Sequence, residues 1–212
     1  IHRYYPSQTN VCSDDQGRPV HIELLGNVSP KKMLSSFSEE EWITFHVYAC
    51  EYNAIYLDKL TLEKSEIARM ILIYDLKGCG THHLRSKKGW ALVKRTLQVT
   101  QDFYPETMHQ AWLLNASKVF ALAWQLLKPC LAERTVKKIQ ILRNKDVHKL
   151  FQTIPKSGIP VSLGGTKEDA WPLVFDKDDY KALDDEHKVM EVGKGSKNSV
   201  KIQVEPDSFV VW

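Results

Sequence analysis

The sequence has few cysteines, four in 212 residues. Cys12, Cys50, Cys79 and Cys130 form no C-x-x-C pair and no zinc-like spacing, which excludes a disulfide scaffold and a zinc module. Free thiols fit a reducing compartment and set a cytoplasmic expectation. Long apolar runs are also missing. The longest, Val119 to Leu127, is interrupted by Gln125 and stopped by Lys128-Pro129, less than half of the ~20 residues a bilayer span needs. Glycine and proline number only 10 and 9, which excludes collagen-like and low-complexity chains. Charge of one sign is scarce: 29 Lys and Arg against 26 Asp and Glu leave +3, too little to imply nucleic acid as a partner. No charged segment followed by an apolar stretch marks a signal peptide, and a chain opening on Ile1 is expected to be a fragment. The sequence contains no G-x-G-x-x-G, Walker loop, G-x-S-x-G or H-E-x-x-H, so redox and hydrolytic classes have no motif to stand on.

What is present is a chain with 43% hydrophobic residues, able to bury roughly 70% of its unfolded surface. Pro19 to Leu24, Met70 to Tyr74, Ala111 to Leu114 and Ile139 to Leu142 are apolar runs of strand length. Between them lie helical patterns. Ser38-Glu39-Glu40-Glu41 is a capping box opening a helix over 40–60, with Trp42, Phe45, Ala49, Tyr52 and Tyr56 at three- and four-residue steps. A second helix over 86–103 carries Trp90, Val93, Leu97 and Thr100 on one face. This alternation predicts an α/β domain with a mixed, largely parallel sheet.

After Gly164-Gly165 the character changes. Residues 168 to 191 hold nine acids and three lysines, broken by Trp171-Pro172-Leu173-Val174-Phe175, and 168–186 reads as an acidic linker with one docking segment. Lys188 to Val192, Ser199 to Val204 and Ser208 to Trp212 alternate as strands around Gly193-Lys194-Gly195-Ser196 and Pro206-Asp207 turns. Two or three strands do not make a stable domain, so residues 187–212 read as the first strands of a truncated all-β unit.

Val119 to Leu127 is apolar on almost every face of a helix, so it is either wholly buried core or the wall of an apolar cavity. Cys79 to Arg85-Ser86 matches the Cys-x₅-Arg-Ser spacing of cysteine phosphatases and lies between a strand and a helix. No His precedes the cysteine, however, and the loop lacks a second glycine near the arginine. His82-His83 has no carboxylate or thiol at helical spacing to complete a metal site and reads as solvated loop.

Several ordered motifs resemble the CRAL-TRIO lipid-binding family, in the branch of secretory phosphatidylinositol and phosphatidylcholine transfer proteins. They are Gly17-Arg18-Pro19-Val20 with Glu23-Leu24-Leu25-Gly26, Asp75-Leu76-Lys77-Gly78, Phe103-Tyr104-Pro105-Glu106-Thr107-Met108 and Leu114-Asn115-Ala116. Leu127-Lys128-Pro129 with Thr135-Val136-Lys137-Lys138-Ile139, and Ile159-Pro160-Val161 with Gly164-Gly165, complete the series. The resemblance places a CRAL-TRIO domain at 1–167, without the N-terminal helical bundle of the family. The strands after 187 resemble the opening of a GOLD domain, as in supernatant protein factor and the patellins.

The resemblance implies a sheet floor with helices enclosing an apolar lipid pocket, closed by a mobile gate helix over about 117–128 and the segment 131–138. It implies binding and intermembrane transfer of a hydrophobic lipid, with no catalytic residue, metal or cofactor. The candidate lipid contacts are Trp90, Val93, Leu97, Thr100, Leu114, Phe120, Trp124, Leu127, Leu131 and Ser162, with Phe120 and Trp124 on one lipid-facing side. Thr96 and Thr100 are candidate headgroup hydroxyls. Phosphoinositide-transferring members carry a Lys where this chain has Ser162, which weakens phosphatidylinositol and favours tocopherols, squalene and other neutral lipids. The implied partners are the lipid, a membrane surface touched transiently, Golgi membranes included, and a protein reached through the GOLD unit. A trafficking scaffold using that unit is the rival class, and a phosphatase at Cys79 and Arg85 a weaker third. Residues 85–149 are basic, with a net +9 against −6 for the remainder, which would turn this half toward anionic membranes.

Overall fold

Short runs of β-branched and large apolar residues pair in chain order to build one sheet in the computed structural model, which describes residues 4–168. Strands β1 (Ser7–Gln8), β2 (Val20–Glu23), β3 (Met70–Asp75), β4 (Met108–Leu114) and β5 (Ile139–Ile141) lie in the order β1-β2-β3-β4-β5. The two-residue β1 is antiparallel to β2, and the other pairs are parallel. Register fixes the two faces, because side chains alternate along a strand. Val20 and Ile22 lie opposite Ile71 and Ile73, and Ile73 lies opposite Trp112, so these residues and Leu114 share one face. His21, Glu23, Leu72, Tyr74, Ala111, Leu113, Ile139 and Ile141 share the other.

A strand order that runs steadily outward, joined by crossovers of one hand, places every crossover helix on the same face. The helices are α1 (Pro30–Ser36), α2 (Glu39–Lys64), α3 (Thr81–Leu84), α4 (Lys87–Phe103), α5 (Lys118–Leu127) and α6 (Glu133–Lys137). The expected capping box opens α2: Ser38 Oγ accepts from Glu41 N at 3.1 Å, and the Glu41 carboxylate accepts from Ser38 N at 2.7 Å. Ser86 and Ser117 cap α4 and α5 in the same way, accepting from Gly89 N and Phe120 N.

The other face has a thin cover of 3-10 turns, Asn144–Gln152, Lys156–Gly158 and Val161–Leu163. Leu150, Ile154, Ile159 and Leu163 from this segment are buried against Val20, Ile22, Ile71, Ile73, Trp112 and Leu114. At the carboxyl edge of the strands the loops touch backbone to backbone. A Cβ at Gly26 would stand 1.8 Å from the Lys77 carbonyl oxygen, so only glycine fits. The buried Asp75 carboxylate accepts from Lys77 N at 3.0 Å and from the Asn115 side-chain amide at 2.6 Å, tying the ends of β3 and β4 together.

The strands and the two long helices thus stand where the sequence puts them, and the α/β expectation with a mostly parallel sheet holds. Among the described residues no helix is long and apolar enough to cross a membrane. The linker and GOLD expectations fall beyond Glu168, outside the described residues.

Candidate functional site

Helix α4 lies across the sheet between α2 on one side and the α5 region on the other, and its side chains divide accordingly. On the α2 side, Trp42 Nε1 donates to Thr96 Oγ1 at 2.9 Å, and Thr96 donates onward to Leu92 O. One turn later His46 Nε2 and Thr100 Oγ1 meet at 2.8 Å, and Thr100 donates to Thr96 O. The expectation of Thr96 and Thr100 as headgroup hydroxyls is therefore corrected: both hydroxyls strap α2 to α4, accepting from a ring N–H and donating to a carbonyl. On the other side Gln101 clips the segment after α5. Its amide donates to Cys130 O, and its carbonyl accepts from Ala132 N, each at 2.9 Å.

Between these two lines of contact the helix faces the sheet. At 100° per residue, Val93 lies midway between Thr100 and Leu97 on this inward side and opposite the exposed Ala91, Arg95 and Asp102. Yet Val93 is 42% exposed. An apolar side chain on the inward side of α4 is thus left accessible instead of being packed away.

The two sides flanking the inward face of α4 are unequal. Toward β2 they are polar. Glu23 accepts from Tyr5 OH and lies 3.0 Å from His21 Nε2, with Tyr74 beside it on the same sheet face and His46 and Cys50 descending from α2. Burial pushes the Tyr74 phenol well above its ordinary value, helped by the Glu23 charge. Burial likewise raises the Cys50 thiol to about 11, with Glu23 adding to it. His46 is lowered by burial against the opposing pull of Glu23. Asn53, on the same inward side of α2, holds a buried carbonyl oxygen without a hydrogen-bond partner. Composition and spacing did not single out these residues, although His46, Cys50 and Asn53 stand four and three residues apart, the signature of one helix face.

Toward α5 the flank is apolar. Trp90, Phe120, Ala123 and Trp124 cluster with Leu76, Ala111 and Leu113, and the rings of Phe120 and Trp124 stack with centroids 6.4 Å apart. Phe120 is 7% exposed and packs on the sheet, which corrects the expectation that it faces lipid. Trp124, Leu127, Leu131 and Leu97 are half-buried. Leu122 and Leu126, on the outer side of α5, are each 56% exposed. This helix is therefore apolar on both sides without being wholly buried: Phe120 and Ala123 pack in the core while Leu122 and Leu126 stand exposed.

Two candidate residues do not join this group. Leu114 is fully buried on the far face among Ile22, Ile73 and Leu150, because strand alternation turns Ala111 and Leu113 toward the helices and Trp112 and Leu114 away. Ser162 lies exposed on the 3-10 turn Val161–Leu163 of the far-face cover.

The phosphatase arrangement fails on geometry and charge. Thr81 to Leu84 forms a helical turn between Cys79 and Arg85 instead of a loop folded around an anion. Burial and the neighbouring Asp75 carboxylate push the Cys79 thiol up to about 11, away from the thiolate a nucleophile needs. His83 spends both ring nitrogens locally, accepting from Gly80 N at 3.1 Å and reaching Val28 O at 2.9 Å. No group of three or more metal-ligating side chains occurs among the described residues.

A largely parallel sheet with helices over one face, polar side chains toward β2 and apolar ones toward α5, defines a mixed α/β domain. The sequence profile of the CRAL/TRIO domain matches residues 9–165, and the chain belongs to that family. It is similar to Sec14 cytosolic factor of Schizosaccharomyces pombe, 34% identical over 169 residues, which cover 78% of this chain and 57% of that protein. It is also similar to the phosphatidylinositol/phosphatidylcholine transfer protein SFH12 of Arabidopsis thaliana, 32% identical over 166 residues, 77% of this chain and 30% of that protein. The chain thus spans between about a third and just over half of these relatives. Among solved structures the crystal structure of Sfh5 shares the fold, with a TM-score of 0.58 at 22% identity over 72% of this chain and 50% of that one.

Proposed function

We propose that this chain binds one hydrophobic lipid beneath α4 and carries it between membranes without chemical conversion. The observation that carries the reading is Val93, inward-facing and accessible, in a room whose α5 side is apolar. Each CH₂ that leaves water for such a room contributes about 0.8 kcal/mol, so an acyl or isoprenoid chain supplies most of the affinity. The polar end, with Glu23, His46, Tyr74 and Asn53, suits a hydroxyl or a neutral headgroup; no lysine or arginine stands among these residues to pair with an inositol phosphate. The family relatives named for phosphatidylinositol and phosphatidylcholine transfer support the class, and phosphatidylcholine or a neutral lipid is the proposed cargo.

Helix α5 is the proposed gate. Its apolar outer side, with Leu122 and Leu126, favours transient contact with a bilayer, and Gln101 holds the segment on which it ends. The sequence from 187 onward is proposed as the opening of a GOLD unit that engages protein partners, at Golgi membranes or elsewhere in the cytoplasm. The test is a fluorescent-lipid transfer assay between vesicles. Transfer of phosphatidylcholine, tocopherol or squalene above the protein-free rate is expected. Transfer at the protein-free rate for all three, and for phosphatidylinositol, would leave the scaffold reading in its place.

A further inference from the structure

The carboxyl edge of the sheet carries a shallow groove of about 420 Å³ lined by Pro30, Lys31, Leu34, Ser35, His82, Arg85 and Ser86. No carboxylate lines it. Lys32, Lys87 and Lys88 flank it in sequence, and all five lysines and arginines of this set are exposed. None of the ion pairs formed among the described residues involves them.

Their position in the chain makes the cluster informative. Lys31 and Lys32 occupy the first turn of α1, and Lys87 and Lys88 the first turn of α4, where the helix dipole disfavours cations. The same chain places Glu39, Glu40 and Glu41 in the first turn of α2, the arrangement the dipole favours. Local stability therefore does not account for the lysines. A sequence that breaks a local rule without an internal compensating contact marks a functional surface.

We propose that this groove and its five cations form an electrostatic contact with an anionic lipid bilayer, additional to the apolar contact of α5. The proposal deepens the lipid-carrier reading by naming the surface the carrier meets. A bilayer suits the observations better than a discrete small ligand. The groove is open, its cations sit on flexible exposed stems, and no buried polar group fixes an orientation, so the attraction is to a sheet of charge. The apolar Pro30 and Leu34 are available to lie against the interfacial region between the charges.

The test is sedimentation of the whole chain with vesicles of phosphatidylcholine alone and of phosphatidylcholine mixed with phosphatidylserine. A Lys31→Gln/Lys87→Gln/Lys88→Gln variant is compared with Lys145→Gln/Lys149→Gln/Lys156→Gln, which removes the same charge from the far-face cover. Each groove lysine near the bilayer is worth about fivefold in partitioning, so the groove variant should bind mixed vesicles roughly a hundredfold more weakly. The far-face variant should stay near the parent, and raising the salt should weaken the parent. Because the substitutions remove unfavourable first-turn cations, the groove variant should melt at or above the parent temperature. Equal losses from both variants, or no loss from the groove variant, would overturn the proposal. So would release from vesicles by inorganic phosphate beyond that caused by chloride at equal ionic strength, which would assign the groove to a discrete phosphate ligand. Lipid loading from neutral vesicles separates the two readings. A groove variant that loads normally but misses anionic vesicles supports both, whereas a parent that lands through the groove and never carries lipid retains this proposal and loses the carrier.

Discussion

Replacing Val93 by Asp discriminates sharply between a lipid room beneath α4 and an ordinary packed helix. Val93 is 42% exposed, so in the protein without lipid a carboxylate there reaches water, and its effect on stability should stay within about 0.5 kcal/mol, as for surface substitutions. With an acyl chain in place the same carboxylate loses its water. Its least costly escape is to take up a proton, and neutralising a carboxyl of ordinary acidity at pH 7 costs about 4 kcal/mol. That figure sets the ceiling, a loss of roughly a thousandfold in lipid affinity; partial access of the side chain to the mouth of the room would bring it nearer a hundredfold. The assay is paired: thermal melting of the variant, and its lipid occupancy after incubation with vesicles of labelled phosphatidylcholine. A cooperative melt near the parent with occupancy reduced at least a hundredfold is expected. Parent-like occupancy would refute the inward, lipid-facing assignment of Val93, and loss of the cooperative melt would return α4 to the packed core.

Phe120→Asp should behave in the opposite way, because Phe120 packs on Leu76, Ala111 and Leu113. Truncation alone costs about 3–5 kcal/mol there and the buried charge adds more, so circular dichroism should show no cooperative melt. Stability should fall as pH drops below about 6.5, because His46, His83 and His109 are all held below their ordinary range, chiefly by burial, and the unfolded chain then binds more protons. His46→Gln should flatten that slope in urea titrations across pH, and an unchanged slope would remove His46 from the buried set. Ser162→Lys should leave phosphatidylinositol transfer at the parent rate, because Ser162 lies exposed on the far-face cover, across the sheet from α4; a gain of about tenfold would bring this turn back into headgroup recognition. Cys79→Ser should carry lipid like the parent, and neither protein should hydrolyse an aryl phosphate.

The elements that periodicity and capping specify were legible in the sequence. Ser38 and Glu41 announce α2 through a local, reciprocal pair of hydrogen bonds, and β3 and β4 announce themselves through unbroken apolar runs. Strand β1 was not anticipated, since two edge residues carry no alternation to read. The 3-10 cover was also missed, although Val147, Leu150, Phe151 and Ile154 recur at helical steps; the Pro155 and Pro160 that break it into short turns disguised a single packing segment. The site was legible in part. Val93 and Leu97 share one side of α4, as their spacing requires, whereas the alternation of β4 turns Leu114 to the far face. Phe120 and Trp124 share one side of α5, as their spacing requires, yet spacing does not say whether the sheet or a ligand lies opposite. Glu23 and His46 are far apart in the chain and meet only through the strand register and the α2–α4 straps, so their shared surroundings required the fold.

Native mass spectrometry of the chain after incubation with mixed lipid vesicles tests the central claim most directly. The account predicts a complex of one chain with one lipid, its added mass matching phosphatidylcholine or a neutral lipid, and its loss in the Val93→Asp variant. A spectrum showing only the mass of the protein, or several lipids attached in a graded series that Val93→Asp leaves unchanged, would contradict it.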